Sequence, residues 1–396
     1  MTGKQGDDFV LSNILSGKQF VMGDKSLEIL LAFEGTRKLS DVASQFEDVS
    51  SNAFKGLFEY FIGNKLIYDI DDKEFDPSFE ITTPNQKLFD LDYFNFSKEQ
   101  KGVVFFGIPF GRGNTLSDNC ELTPSIHRNF TKQFGLNFNQ EKALNTFEAL
   151  LPIKVNFDHL RQLIETNNLW DGGDLYLYNH EDVSDNYKKI EKLSHNAAVA
   201  GNFPYFIGGD HSITYPILKG LHQEYGKIVL IQLDAHTDTY SHGAEKAFPQ
   251  RNHHHGNFVK FALESDILHS VHQFGVRGLS NYGQNPMYDN QYIYPANSIE
   301  GILNGSIPCD IPDGYPIYLT VDIDVLDPSI SPGTPTPVPG GLLLNDTLSL
   351  IQKILADRTL VGADIVEIHN DRDKDNITLH TALLIELLTL NYFPIS

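Results

Sequence analysis

Six short runs in this chain are almost wholly apolar: "GVVFFGIPF" (102–110), "YFIGG" (205–209), "IVLIQLDAH" (228–236), "VHQFGVRG" (271–278), "PIYLTVDIDV" (316–325) and "LVGADIVEI" (360–368). A strand with one wet face alternates apolar and polar residues, and these do not. They are expected to be buried on both faces, which requires a parallel sheet covered by helices on either side. The expected fold class is therefore α/β, and 396 residues leave room for a small second domain. In such sheets the chemistry sits beyond the carboxyl ends of the strands. The titratable residues of this chain gather there.

"LIQLDAHTDTY" ends an apolar run in Asp234, His236 and Asp238, two apart. If the chain stays extended, alternate side chains point the same way and the three project together. "LTVDIDVLDPS" repeats the arrangement with Asp322 and Asp324, and "FIGGDHS" leaves His211 beyond another strand. Four carboxylates and two imidazoles gathered without a compensating Lys or Arg repel one another at neutral pH. Divalent cations relieve that repulsion. Oxygen-rich ligation with two nitrogens suits Mn²⁺, with Fe²⁺, Co²⁺ or Ni²⁺ as alternatives. Two metals sharing carboxylates would bind and activate a water.

Composition removes other classes. A net charge of −22 argues against nucleic acid as the partner. Two cysteines, Cys120 and Cys309, make neither a disulfide framework nor a Cys-rich zinc site. The start "MTGKQGDDFV" lacks the pattern of a signal peptide, and no apolar run approaches the roughly 20 residues of a membrane span. The expected location is the cytoplasm, with no membrane partner.

Residues 1–75 read as a separate module. "FVLSNILSGKQFVMG" gives two short strands around a turn at Ser16–Gly17. A helix from "DKSLEILLAFEG", a second capped by Ser40, a third ending near Gly63 and a closing strand follow. The order suggests a winged-helix-like unit. It carries 8 Lys/Arg against 13 Asp/Glu, the wrong sign for DNA. Residues 76–100 read as a connector on the surface, and 101–396 as the catalytic domain.

"GGDHS", "DAHTD" and "DIDVLDPS" resemble the three signature motifs of the ureohydrolases, the family of arginases and agmatinases. "FFGIPFGRG" with "LTPSIHR", "WDGGDLYL", "GVRGLS", "SPGTPTPVPGG" and "GADIVEIHND" match that family's other elements, so the resemblance runs over about residues 101–380. It implies a three-layer α/β/α fold and a dimanganese cluster. One metal would be held by His211, Asp234, Asp238 and Asp322, the other by His236, Asp234, Asp322 and Asp324. The implied reaction is hydrolysis at a guanidinium carbon, releasing urea and leaving an amine. Glu367 would grip the guanidinium, and Asp238 would pass a proton to the leaving amine. A histidine of "RNHHHGNF" would shuttle protons. His253, His254 and His255 compete for that role, and His255 matches by preceding Gly256. Asp171 and Asp174 are expected to shape the site, and His242, His269 and His272 to be ordinary histidines.

Arginases acting on the free amino acid read its carboxylate and amine at positions that are here Tyr240, Arg251 and the stretch after Arg277, where no Asp follows. Activity on free arginine is therefore in doubt. The N-terminal unit resembles the small PqqD-like peptide-binding modules. Joined to a ureohydrolase core, it resembles the peptide arginases, which convert arginine side chains of a precursor peptide to ornithine. The alternatives are a hydrolase of a small guanidine, such as agmatine, guanidinobutyrate or guanidine itself, and a non-catalytic peptide-binding scaffold. Related enzymes form trimers or hexamers, so a homo-oligomer is one option the resemblance carries.

Overall fold

The computed structural model describes residues 3–5, 8–12, 19–33, 37–63, 66–67, 80–96, 99–114, 119–132, 151, 153–177, 181–240, 253–279 and 287–395. The chain divides into two compact units, one of Met1–Thr82 with Tyr178–Asp182 and one of the rest.

In the smaller unit, strands β1 (Gly3–Gln5), β2 (Asp8–Ser12) and β3 (Gln19–Met22) pair antiparallel in that order. Helices Asp24–Leu31, Leu39–Ala43 and Ser51–Gly63 follow, with a short strand β4 (Glu80–Thr82) after them. Phe20, Met22, Ile29, Val42, Phe46, Phe54 and Phe61 form its own buried core. Ser40 is not the cap of the second helix. That position is Lys38, and the Ser40 hydroxyl turns outward to Asp41. The expected turn at Ser16–Gly17 and most of the closing strand lie outside the described residues.

The larger unit is built on a sheet whose strands run β10 (Gln291–Pro295), β9 (Leu268–Val276), β8 (Ile228–Leu233), β11 (Ile317–Asp322), β12 (Leu360–Val366), β7 (Asn202–Ile207), β5 (Gly102–Gly107) and β6 (Leu169–Tyr176). Each of these pairings is parallel. The absence of alternation has its expected cause. Val103, Phe105, Tyr205, Ile207, Val229, Ile231, Leu319 and Val321 turn to one face and join Leu160, Leu163, Ile302, Leu348, Ile351, Leu383 and Leu387 of the helices there. Val104, Phe106, Phe206, Leu230 and Tyr318 are equally buried on the other face. There Thr214, opening helix Thr214–Tyr225, donates to Asp364 of β12. Burying such side chains on both faces contributes about 1.5–3 kcal/mol each. Helices therefore cover both faces, and the sheet is the middle of three layers.

Among the described residues, four strands escaped the sequence reading, β1, β4, β6 and β10. β6 contains Asp171 and two glycines, which dilute its apolar run, and β10 is a short edge strand of mixed polarity. The stretch read as a surface connector is also deeper than expected. Leu88 and Phe89 are buried in the core, and the Leu88 N–H donates to the Asp171 carboxylate. Among the described residues no helix is long and apolar enough to cross a membrane.

Candidate metal centre

The four strands β8, β11, β12 and β7 are neighbours at the middle of the sheet, and each delivers chemistry at its carboxyl end. β8 leads to Asp234, His236 and Asp238, β11 ends in Asp322, β12 leads to Glu367, and β7 leads to His211. Four adjacent parallel strands thus bring together residues more than 100 positions apart.

The residues do not converge by strand alternation, as the sequence suggested. β8 ends at Leu233, and the Asp234 carboxylate turns back to accept the His236 N–H. Asp238 then adopts a left-handed φ of 48°. Likewise β11 ends at Asp322, whose side chain accepts the Asp324 N–H at 2.9 Å and opens a short turn at Ile323–Val325. Asp side chains compete for nearby backbone donors in this way, and the turns aim the next carboxylate inward. In "GGDHS" the backbones pass so closely that a Cβ at Gly209 would lie 1.7 Å from the Phe110 carbonyl oxygen.

The result is two overlapping groups of ligand atoms, His211 with Asp234 and Asp322, and His236 with Asp234 and Asp324. His211 Nδ1 lies 3.2 Å from Asp234, 3.2 Å from Asp238 and 3.3 Å from Asp322. His236 Nδ1 lies 3.0 Å from Asp324 and 3.5 Å from Asp234. His211 Nδ1 is buried, makes no hydrogen bond, and is ringed by carboxylate oxygens. A nitrogen lone pair and several carboxylates around one point suit a divalent cation.

The electrostatics agree. Burial pushes the Asp238 carboxyl up and Asp234 beside it adds to this, leaving it at about 7. Burial with Asp324 and Asp234 nearby raises Asp322 well above the usual carboxylate range. Burial alone would lower His211, but the surrounding carboxylates more than reverse it, and the imidazole titrates well above its usual range. Asp234 alone of these is pushed down: burial would raise it, but its hydrogen bonds to His211 and His236 outweigh that.

Glu367 sits beside this group, fully buried and with a left-handed φ of 61°. Its Oε1 accepts the His211 N–H at 2.9 Å and lies 3.1 Å from His255 Nδ1. Its Oε2 accepts from Asn114 Nδ2 at 2.8 Å and faces the Cys120 thiol at 3.6 Å. The three adjacent histidines separate clearly. The half-buried His253 ring packs among Tyr187, Tyr215 and Phe261 and is depressed to about 3 by loss of solvent around it. His254 caps the turn that follows by accepting the Gly256 N–H. His255 faces Glu367.

Asp171 and Asp174 belong elsewhere. Both pair with the buried guanidinium of Arg128. His269 stacks on Tyr315 and His272 on Tyr292, while His242 and Arg251 lie outside the described residues. Arg277 donates to the carbonyls of Asp324, Leu326 and Val338, tying β9 to the loop after β11.

Several partners were not singled out in the sequence. The outer nitrogen of His211 lies 2.8 Å from Thr320 Oγ1, which donates to Asp364. Asp210 accepts the N–H groups of Gly113 and Asn114, placing the Asn114 amide against Glu367. The available signal was a polar residue inside an otherwise apolar central strand, as at Thr320 and Asp364. Such residues require a buried partner.

The sequence model of the Arginase family matches residues 101–389. An agmatinase from Escherichia coli O1:K1 is 33% identical over 235 residues, which cover 59% of this chain and 72% of that protein. A hypothetical agmatinase from Burkholderia thailandensis superposes with a TM-score of 0.62 at 27% identity, over 78% of this chain and 89% of the other. Proclavaminate amidino hydrolase from Streptomyces clavuligerus gives the same TM-score at 23% identity, over 78% and 97%, and so shares the fold.

Proposed function

The chain belongs to the arginase family, and from that premise we propose that it is a binuclear-metal hydrolase cleaving a guanidinium group to urea and an amine. The observation that carries this reading is Asp234, shared by the two His/Asp groups with Glu367 alongside. His211, Asp234, Asp238 and Asp322 would hold one Mn²⁺, and His236, Asp234, Asp322 and Asp324 the other. Bound there, the two cations supply an activated water at neutral pH.

The remaining work falls to the chain's own groups. A guanidinium stays protonated, its pKa being about 12.5–13.8, and resonance protects its carbon. The buried Glu367 carboxylate orients that cation through paired N–H···O bonds. Asp238, ionised when it serves as a ligand, would take up a proton and pass it to the leaving nitrogen. His255 exchanges protons between the site and the outside.

For the substrate we infer an arginine side chain within a peptide, leaving ornithine. Support comes from the smaller unit, which lies outside the family match and has its own sheet and core. Tyr240 standing where free-arginine enzymes read a carboxylate points the same way. A second reading, hydrolysis of a small free guanidine, is favoured by the likeness to agmatinases.

Urea release by Mn²⁺-loaded protein should be measured on an arginine peptide blocked at both ends, agmatine, guanidine and free arginine. Urea mainly from the blocked peptide, with ornithine in the product, supports the first reading. Urea from a free guanidine alone replaces it with the second. No urea from any of them, by protein shown to hold metal, sinks the hydrolase reading.

A further inference from the structure

Three glutamines cross the sheet in a line behind the metal centre, and none of them is a candidate ligand. Gln232 is on β8, Gln273 on β9 and Gln291 on β10, and all three are buried. Gln291 Nε2 donates to Gln273 Oε1 at 2.7 Å, and Gln273 Nε2 donates to Gln232 Oε1 at 2.6 Å. Gln232 Nε2 then donates to Asp234 Oδ2 at 2.7 Å and approaches Asp238 Oδ2 at 3.4 Å. At the far end the Met287 N–H donates to Gln291 Oε1 at 2.8 Å.

The direction of this line is fixed at both ends. A carboxylate can only accept and a backbone N–H can only donate, so every amide must point its NH₂ towards the metal centre. Turning any one of them over would set oxygen against oxygen or NH₂ against NH₂. Gln273 has a further anchor, since Nε2 also donates to the Thr237 carbonyl at 2.7 Å. An apolar residue would fill the same space between strands without three amides to satisfy. Polar groups behind a ligand orient it and tune its basicity.

We propose that Gln232 is a positioning residue for the metal centre, setting the carboxylates of Asp234 and Asp238, and that Gln273 and Gln291 act through it by holding its amide the right way round. Asp234 is the carboxylate common to both ligand groups, so its orientation bears on both ions at once. With the amide on Oδ2, the carboxylate keeps Oδ2 towards His211 Nδ1 at 3.2 Å and Oδ1 towards His236 Nδ1 at 3.5 Å. The inference rests on the metal-centre reading of the proposed function.

The test is Mn²⁺ titration followed by the EPR signal of the free ion, on the full chain and on Gln232→Met, Gln273→Met and the double variant. Metal-free unfolding midpoints are recorded for each. Gln232→Met should weaken Mn²⁺ binding by roughly 10–100-fold, the range for partners behind a ligand. Gln273→Met should weaken it less. The double variant should bind within about twofold of Gln232→Met, because a residue acting through another adds nothing once that one is gone. A folded Gln232→Met with unaltered affinity overturns the proposal. So does a double variant showing the full product of the two losses. Should Gln232→Met fail to fold, Gln273→Met decides alone, and unaltered affinity there has the same force. If the unaltered protein binds no divalent cation, the metal-centre reading falls and the inference with it. Tight binding in every variant removes only the inference.

Discussion

His255 Nδ1 lies 3.1 Å from Glu367 Oε1, the imidazole nearly buried and the carboxylate wholly so. Burial alone would raise the carboxyl and lower the imidazole. The pair reverses both, so Glu367 titrates below and His255 above its usual range. A lowered carboxyl contributes stability above its unfolded pKa, and a raised imidazole contributes below its own. In the metal-free protein the pair is therefore worth most between about pH 4.3 and 6.5. Its contribution falls as pH rises through the folded pKa of His255. The metal-free protein should lose more of its melting temperature than His255→Gln does between mildly acid and mildly alkaline buffers. Parallel thermal scans would reveal equal losses if the pair were energetically idle. His255→Ala should also lower kcat by about 10²–10⁴-fold while keeping the bound metal.

Asp234 belongs to both ligand groups, whereas Asp324 and His236 belong to one. Asp234→Ala should therefore empty both positions, and His236→Ala should spare one ion. Metal analysis after dialysis counts them. Equal depletion by the two substitutions would mean that the groups are not separable.

Metal binding should release protons. His211 and His236 titrate above their usual range among the carboxylates, and Asp238 is pushed up to about 7. Each must give up its proton to act as a ligand. Mn²⁺ affinity should accordingly rise with pH through neutrality. Calorimetry in buffers of different ionisation enthalpy reads the protons directly, and a buffer-independent heat would contradict the assignment. At a free Mn²⁺ concentration 100 times the dissociation constant, the ion should add about 2.7 kcal/mol of stability, lost on chelation.

Much of the site was legible because its signals are local. An unbroken apolar run names a buried strand, and Asp-x-Asp at its end names a ligand pair. What could not be read depends on which strands become neighbours. Thr320 supports His211 only because β11 lies against β12, which sets Thr320 opposite Asp364. Asn114 from a loop and Cys120 from the short helical turn Asn119–Leu122 reach Glu367 about 250 residues away, where nothing in their own segments predicts it. The geometry of the aspartates was misread for a related reason. Period-two alternation describes backbone that stays paired, and here each carboxylate captures an N–H two residues on and ends the strand.

Thr320 separates support of a ligand from simple packing. Its hydroxyl stands between His211 Nε2 and the Asp364 carboxylate, 2.8 Å from the ring. That places the ring's outer nitrogen in a hydrogen bond and leaves Nδ1 to face Asp234, Asp238 and Asp322. Thr320→Val keeps the shape and removes the bridge, so the ring loses its preferred tautomer and orientation. Mn²⁺ affinity should fall roughly tenfold or more. Thr320→Ser, which keeps the hydroxyl but not the methyl, should recover most of it. The metal-free melting temperature should fall in Thr320→Val as well, since the Asp364 carboxylate loses a buried donor worth about 1.5–3 kcal/mol. If Thr320→Ser and Thr320→Val bind Mn²⁺ equally well, the hydroxyl serves the packing of β11 against β12 and has no part in orienting His211.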